Sequence, residues 1–375
     1  MRIGLLSDCY RPGVNGIVRF LTLHRRALEE AGHQALVFTF GPPHAEDEPG
    51  TLRSPGVPFL RPGYHLSLGY SRRALEALRT CDVLHANQPA MSGLLAIRYG
   101  RRFGIPTVLT CHSRYDLLWK TALPLVPLAL YRRMLGAAIG RITAACDRVI
   151  VTSHEAARVM RTLGVAQPLA VIPIGVDLAR LGCARRTLTR AELGLPAQAP
   201  LAVTVGRLAP EKNVGLLLRA LAQPALAEAH LLVVGEGPER GALETLARRL
   251  GVERRVHFVG QAALEDVPAY AALADVFVTG SLVEMLPVSA IEALAVGLPV
   301  LGPEVAWIRE LVRPGENGLL AAPEPHPFAE AWARLNADRA LRARLGAGAR
   351  LSAARYDIRQ TTAELVALYE GLAAG

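Results

Sequence analysis

The chain has 375 residues, 51% of them hydrophobic and 20% charged, enough to fill two compact domains and incompatible with a disordered chain. Its formal charge is +9, which suits an anionic partner such as nucleic acid, a membrane surface or a phosphorylated substrate. The excess is confined: residues 1–180 hold 22 Arg and Lys against 12 Asp and Glu, and residues 181–375 hold 20 against 21.

The N-terminal stretch MRIGLLSD reaches Asp8 too soon for a signal peptide. Residues 3–6 form an apolar run expected as a buried strand, followed by a polar, glycine-bearing loop over 7–16. A helix is expected over 17–31. Ile17, Phe20, Leu21, Leu28 and Ala31 share one face, Arg19, Arg25, Arg26 and Glu29 point away, and Gly32 ends it. Residues 35–40, 72–79, 82–85, 91–103, 107–111 and 148–152 continue a strand–helix alternation. The longest apolar candidate for a membrane span, residues 122–131, is short and carries Pro124 and Pro127, so no transmembrane helix is expected. Five scattered cysteines (Cys9, Cys81, Cys111, Cys146, Cys183), with no C-x-x-C pair, point to a reducing compartment and away from a zinc or disulfide framework.

Residues 181–200 are rich in Arg, Ala and Pro and lack a strand signal, marking a boundary. The alternation then restarts with strands at 201–205, 230–234, 256–259, 276–279, 300–301 and 318–320, and residues 326–373 read as almost wholly helical. The pattern predicts two α/β units in tandem, each a doubly wound parallel sheet, with the ligand at the C-terminal ends of the strands in the cleft between them.

Two stretches carry chemistry. In Gly206-Arg207-Leu208-Ala209-Pro210-Glu211-Lys212, Gly206 permits a tight turn, and Arg207 and Lys212 converge on a helix start near Asn213. Two cations beside free helix amides suit phosphate oxygens; a solvated Arg and Lys at a turn is the plainer alternative. Of 42 Lys and Arg only Lys120 and Lys212 are lysine, which sets Lys212 apart. In the second stretch, Glu284 lies in a loop and Glu292 eight residues on, within an otherwise apolar helix starting near Pro287. A buried carboxylate needs a partner. A sugar diol serves, since each carboxylate oxygen accepts; a structural Glu–Arg pair is the alternative.

Together these stretches resemble the retaining glycosyltransferases of family 4, whose architecture, GT-B, is two Rossmann-like domains facing a cleft. The resemblance rests on G-R-L-x-x-E-K from Gly206 to Lys212, and on E-x7-E with A-x-A-x-G-x-P-V from Glu284 to Val300. Many members read E-G-L-P where this chain has Glu284-Met285-Leu286-Pro287. Pro12-Gly13-Val14-Asn15-Gly16 resembles the family's first glycine loop. Asp82-Val83-Leu84-His85-Ala86-Asn87-Gln88-Pro89 resembles D-x-I-H-x-H-x-P, with Asn87 for the second histidine. Ile105-Pro106, Cys111-His112-Ser113, the segment from Asp147 to Ser153, and Ile172-Pro173-Ile174-Gly175-Val176-Asp177 follow in the family's order.

The resemblance implies three segments: residues 1–180 as an acceptor-binding domain, 181–355 as a nucleotide-sugar domain, and a C-terminal helix over 356–375 crossing back to the first domain. It implies that Arg207 and Lys212 hold the diphosphate, Glu292 the nucleotide ribose and Glu284 the transferred sugar. The amide around Val288 adds a phosphate contact, Gly16 lets the donor approach a helix N-terminus, and His112 stands beside the sugar. No metal or other cofactor is expected; the nucleotide sugar is a substrate. Asp8 and Asp116 are the carboxylates of the first half that could act as nucleophile, and front-side attack by the acceptor is favoured over a covalent intermediate.

Gly235-Glu236-Gly237-Pro238-Glu239-Arg240-Gly241 mimics a dinucleotide fingerprint but is expected to be structural. On the acceptor side, Trp119-Lys120 and the following apolar segment with Arg132, Arg133 and Arg141 suit an anionic membrane surface. His112-Ser113-Arg114-Tyr115 resembles the H-T-x-Y region of bacterial diacylglycerol glucosyltransferases. The expected protein is cytoplasmic, peripheral on the inner face of the cell membrane, moving glucose from UDP-glucose to a lipid such as diacylglycerol. A soluble or polysaccharide acceptor is the alternative. A nucleic-acid partner is not expected, because basic and aromatic residues do not interleave.

Overall fold

In the computed structural model, which describes residues 1–12, 15–59, 63–117, 125–181, 188–263 and 266–374, the apolar runs become strands of two parallel sheets. The chain divides into two compact units: Met1–Gly175 with Ile358–Gly375, and Val176–Asp357. It therefore leaves the first unit after Gly175, five residues before position 180, and returns at Ile358.

The first unit contains β1 (Arg2–Leu6), β2 (Gln34–Phe40), β3 (Thr51–Ser54), a small hairpin of β4 (Val57–Pro58) and β5 (His65–Leu66), and then β6 (Val83–Ala86), β7 (Thr107–Cys111), β8 (Arg148–Val151) and β9 (Leu169–Val171). The main sheet runs β3-β2-β1-β6-β7-β8-β9, all parallel. The central strands are buried almost throughout, so their sequences are nearly continuous apolar runs. The edge strands β3 and β9 and the hairpin strand β5 are only partly buried, β4 is exposed, and no periodic signal predicts them. The strand order reverses between β1 and β6. The loops after these two strands therefore diverge and leave a crevice at their C-terminal ends.

The Gly16–Glu30 helix starts on Asn15, whose side-chain oxygen accepts from the amides of Ile17 (2.9 Å) and Val18 (3.0 Å). It corrects one expectation. Arg25 does not point away but is 3% exposed, donating to Glu29 Oε1 at 3.0 Å and Thr51 Oγ1 at 3.2 Å. The cause is β3, whose approach through Glu48–Thr51 covers that side of the helix and supplies polar partners. The C-terminal helix, Ile358–Ala373, returns to the first unit and packs on the Gly16–Glu30 helix and β6. Gly175 admits it: a Cβ there would lie 2.4 Å from Thr361 Oγ1 and 2.7 Å from Ile358 Cα.

The second unit holds β10 (Leu201–Val205), β11 (His230–Val234), β12 (Val256–Gly260), β13 (Val276–Val278), β14 (Val300–Pro303) and β15 (Gly318–Ala321), in the order β12-β11-β10-β13-β14-β15, again parallel. Its switch point lies between β10 and β13, and the two chemistry-bearing stretches are the loops that leave those strands. No described helix is long and apolar enough to cross a membrane.

Candidate active site

In the second unit the loop after β10 is held by backbone contact. Gly206 has φ +153°, and a Cβ on Gly235 (φ +145°) would lie 1.9 Å from Gly206 O. A Cβ on Gly237 would lie 2.3 Å from Leu208 O, while Leu208 N donates to Glu236 O at 2.9 Å. The Gly-x-Gly-Pro turn is thus a close-packing device supporting Gly206–Leu208.

A single turn, Pro210–Lys212, carries Lys212 back over the strand ends; the helix itself begins at Val214. Asn213 joins them in the left-handed region (φ +47°) and donates from Nδ2 to Gly280 O at 3.2 Å. Gly280 must be glycine for the loops to meet, since a Cβ would stand 2.4 Å from Asn213 O. This clamp brings Lys212 Nζ onto Glu284 Oε1 in an ion pair, and Ser281 Oγ lies 2.8 Å from the same oxygen. Arg207, Lys212, Glu284, Pro287 and Ser289 line one pocket, and Arg207, half exposed, pairs with Glu211. Both acids are exchangeable partners. An anion can take Lys212 and Arg207, and hydroxyls can donate to the released Glu284.

The helix below spans Val288–Ala295, with Pro287 at its cap rather than in its first turn. The amides of Val288 and Ser289 precede its first backbone bond, from Ala290 N to Pro287 O at 3.1 Å. Glu292 is 2% exposed one turn further in and does not line the pocket. Met285 is buried and needs no left-handed backbone, so the loop after Glu284 accepts a side chain where the E-G-L-P pattern has glycine.

In the first unit His112 follows β7. Its Nε2 lies 3.1 Å from Asn87 Oδ1, and Phe20 packs against the ring at 4.7 Å. Phe20 is one turn after Gly16, so the Gly16–Glu30 helix joins the two expected residues at this strand edge. Gly16 is exposed, and a Cβ there would meet nothing within 4 Å. Burial, with His24 nearby, pushes His112 down to about 3; burial takes His85 to about 3 and His24 to about 4. All three imidazoles are neutral at pH 7. His85 is held on both sides, with Nδ1 2.6 Å from Tyr369 Oη and Nε2 2.6 Å from Thr110 Oγ1.

Of the two candidate nucleophiles, Asp116 is engaged through both oxygens and Asp8, among the described residues, through Oδ1 alone. Arg114 donates to both oxygens of Asp116, at 2.9 and 2.8 Å. Asp8, 3% exposed, accepts from Ser92 N at 2.7 Å, and burial raises it to about 7. Gly13, Trp119, Lys120 and Cys183 lie outside the described residues. Sequence reasoning passed over Ser281, although S-x-x-E places it three residues before Glu284, and it noted Asn87 only as a departure from a motif.

Two family descriptions match the chain: Glycosyltransferase Family 4 over residues 14–180 and Glycosyl transferases group 1 over residues 185–352. An alpha-monoglucosyldiacylglycerol synthase of Acholeplasma laidlawii is 26% identical over 337 residues, 85% of this chain and 84% of that protein. A D-inositol 3-phosphate glycosyltransferase of Saccharomonospora viridis is 30% identical over 341 residues, 87% of this chain and 74% of that protein. Among solved structures, sucrose-phosphate synthase from Thermosynechococcus elongatus superposes with a TM-score of 0.79 at 26% identity, covering 100% of this chain and 99% of that one.

Proposed function

We propose that this chain, which belongs to the group 1 and family 4 glycosyltransferases, moves a hexose, glucose, from a uridine diphosphate sugar to a membrane lipid of the diacylglycerol kind, with retention of configuration. The observation that carries the donor half is the convergence of Arg207, Lys212 and Glu284 in one pocket at the β10/β13 switch point. Departure of the sugar leaves about two negative charges on the diphosphate. Arg207 and Lys212 meet them with fixed cations, and the Val288 and Ser289 amides add the positive end of a helix. Glu284, released from Lys212, accepts from hydroxyls of the transferred sugar; Glu292, buried and outside the pocket, takes the ribose hydroxyls only once the side chains covering it move aside. Gly16 leaves room for the diphosphate, and His112 stands beside the sugar as a neutral ring that tolerates developing positive character. With Asp116 engaged by Arg114 and Asp8 capping the Met91–Phe103 helix, the acceptor attacks from the front side. No metal enters this reading, so activity is expected to survive EDTA; loss on chelation, restored by a divalent cation, would count against it.

The acceptor half rests on the first unit. It carries 22 Arg and Lys against 13 Asp and Glu, and the second unit carries 20 against 20. Leu125, Leu130 and Met134 are exposed beside Arg132, Arg133 and Arg141, on or next to the Leu128–Ala144 helix. Apolar side chains flanked by arginine suit an anionic bilayer, giving a peripheral protein on the cytoplasmic face. The test is release of nucleoside diphosphate from UDP-, GDP- and ADP-sugars, first alone and then with diacylglycerol in anionic vesicles. Stimulation of UDP-glucose turnover by the lipid is expected; no pelleting with anionic vesicles at low salt would remove the membrane part. The second reading, a soluble phosphorylated acceptor, is favoured by the 30% identity to the D-inositol 3-phosphate enzyme. Acceleration by a soluble polyol phosphate instead of lipid would select it.

A further inference from the structure

We infer that Asn87 is a positioning residue that locks the His112 ring in a single tautomer, so that His112 meets the sugar as a hydrogen-bond acceptor through Nδ1. The identity of that sugar rests on the glycosyl-transfer reading; the lock itself does not.

Each step follows from which atoms can donate. Asn87 is 0% exposed at the end of β6. Its Nδ2 lies 3.3 Å from Leu6 O and 3.3 Å from His85 O. Both are carbonyls, which only accept, so the amide can sit only with Nδ2 toward them and Oδ1 away. Oδ1 also only accepts, so the His112 Nε2 facing it at 3.1 Å must carry the hydrogen. A neutral imidazole has one such hydrogen, which leaves Nδ1 as a bare acceptor. Nδ1 is itself buried and has no hydrogen-bond partner among the described residues. The ring cannot readily turn to exchange its nitrogens, because Phe20 packs against it at 4.7 Å and 60°.

Neutrality is set by the surroundings. The titratable groups affecting His112 are His24 and, across the β6 and β7 strand ends, His85, both neutral in the same buried cluster. An imidazolium would offer a second donor and place a charge where positive character develops on the sugar. The locked neutral ring instead accepts from a hydroxyl and rejects a carbonyl or a phosphate oxygen. A substrate group with a proton to give is thereby selected at this strand edge.

The test begins on the free wild-type protein, with no donor or acceptor added. Histidine-selective 15N labelling and long-range 1H–15N correlation read the tautomer of each of the 10 histidines, with His112→Gln assigning the signal. Expected is an Nε2–H, Nδ1-bare ring that persists from pH 8 down to about pH 5. An Nδ1–H ring, a mixture, or an imidazolium at pH 7 overturns the inference, whether or not any variant folds. Asn87→Ala is then expected to give mixed tautomers and to lower kcat roughly ten-fold, with KM for the nucleotide sugar little changed. Asn87→Asp keeps an acceptor facing Nε2, so it should restore the single tautomer, while its second oxygen, now facing the carbonyls of Leu6 and His85, should lower the melting temperature. If Asn87→Ala retains the single tautomer, the lock lies elsewhere and the inference fails. If the tautomer is as stated but no nucleotide sugar is turned over, the functional reading fails and the lock stands.

Discussion

The two strand-edge sites solve opposite electrostatic problems. In the second unit the net charge is zero, yet the pocket holds ions in pairs, Lys212 with Glu284 and Arg207 with Glu211, partly exposed and able to change partners. In the first unit the whole +9 lies outside the site, and the site itself is three neutral imidazoles beside Phe20, His24 and His85 buried and His112 half-buried. On the function proposed above, the second-unit pocket takes up a diphosphate, which needs cations with replaceable counter-ions. The first-unit site then stands beside a sugar that gains positive character, which needs polar groups without charge, and burial supplies that by making protonation costly.

The largest effect expected from this contrast is on acid stability. His24, His85 and His112 are depressed in the folded state, so their contribution is present above about 6.5 and is lost as the pH falls toward 4. Each ring then removes about 3 kcal/mol by pH 4, comparable in sum to the stability of a domain. Asp8 acts oppositely: raised to about 7, it favours the folded state as the pH falls from 7 toward 4 and offsets about one ring. Hydrogen exchange read by mass spectrometry should show the first unit opening at acid pH while the second stays protected. Equal opening of both units would break the comparison, and Asp8→Asn should sharpen it by removing the offset.

Next in size, Lys212→Ala is expected to lower turnover by roughly a hundred- to a thousand-fold, as loss of one fixed charge-stabilising group does. Its melting temperature should stay close to wild type, since a partly exposed pair contributes only about 1 kcal/mol. Glu211→Gln, which touches only the exposed Arg207 pair, should cost a few-fold at most; a larger loss there than at Lys212 would reverse the assignment. A structural test follows at Gly235→Ala, where a Cβ collides with Gly206 O at 1.9 Å. A stability loss of about 2–4 kcal/mol is expected in denaturant titration, confined to the second unit. Smallest is the surface term: Arg132→Gln with Arg133→Gln should weaken anionic-vesicle binding by about 2 kcal/mol at low salt, read by sedimentation, with donor turnover in the absence of lipid unchanged.

Much of the fold was legible because buried parallel strands announce themselves. The runs at 107–111, 201–205 and 230–234 coincide with β7, β10 and β11. The second-unit site was legible for a related reason: its residues sit in loops that directly follow such strands. The edge strands β3 and β9 were not, since a half-exposed strand tolerates Arg53 and other mixed residues. Arg25 was misplaced because helical periodicity names a face without knowing what will cover it.

The sequence alone therefore determined the alternation of elements, the tandem units and the loops that carry Arg207, Lys212, Glu284 and His112. All of these follow from patterns within a few residues of one another. Only the tertiary structure decided that Lys212 pairs with Glu284, 72 positions away, and that Asn87 faces His112, 25 positions away. The first depends on β10 and β13 becoming neighbours where the sheet order reverses, and the second on the pairing of β6 with β7. Both the exchangeable ion pair and the locked, neutral ring are consequences of these adjacencies, and no local pattern encodes them.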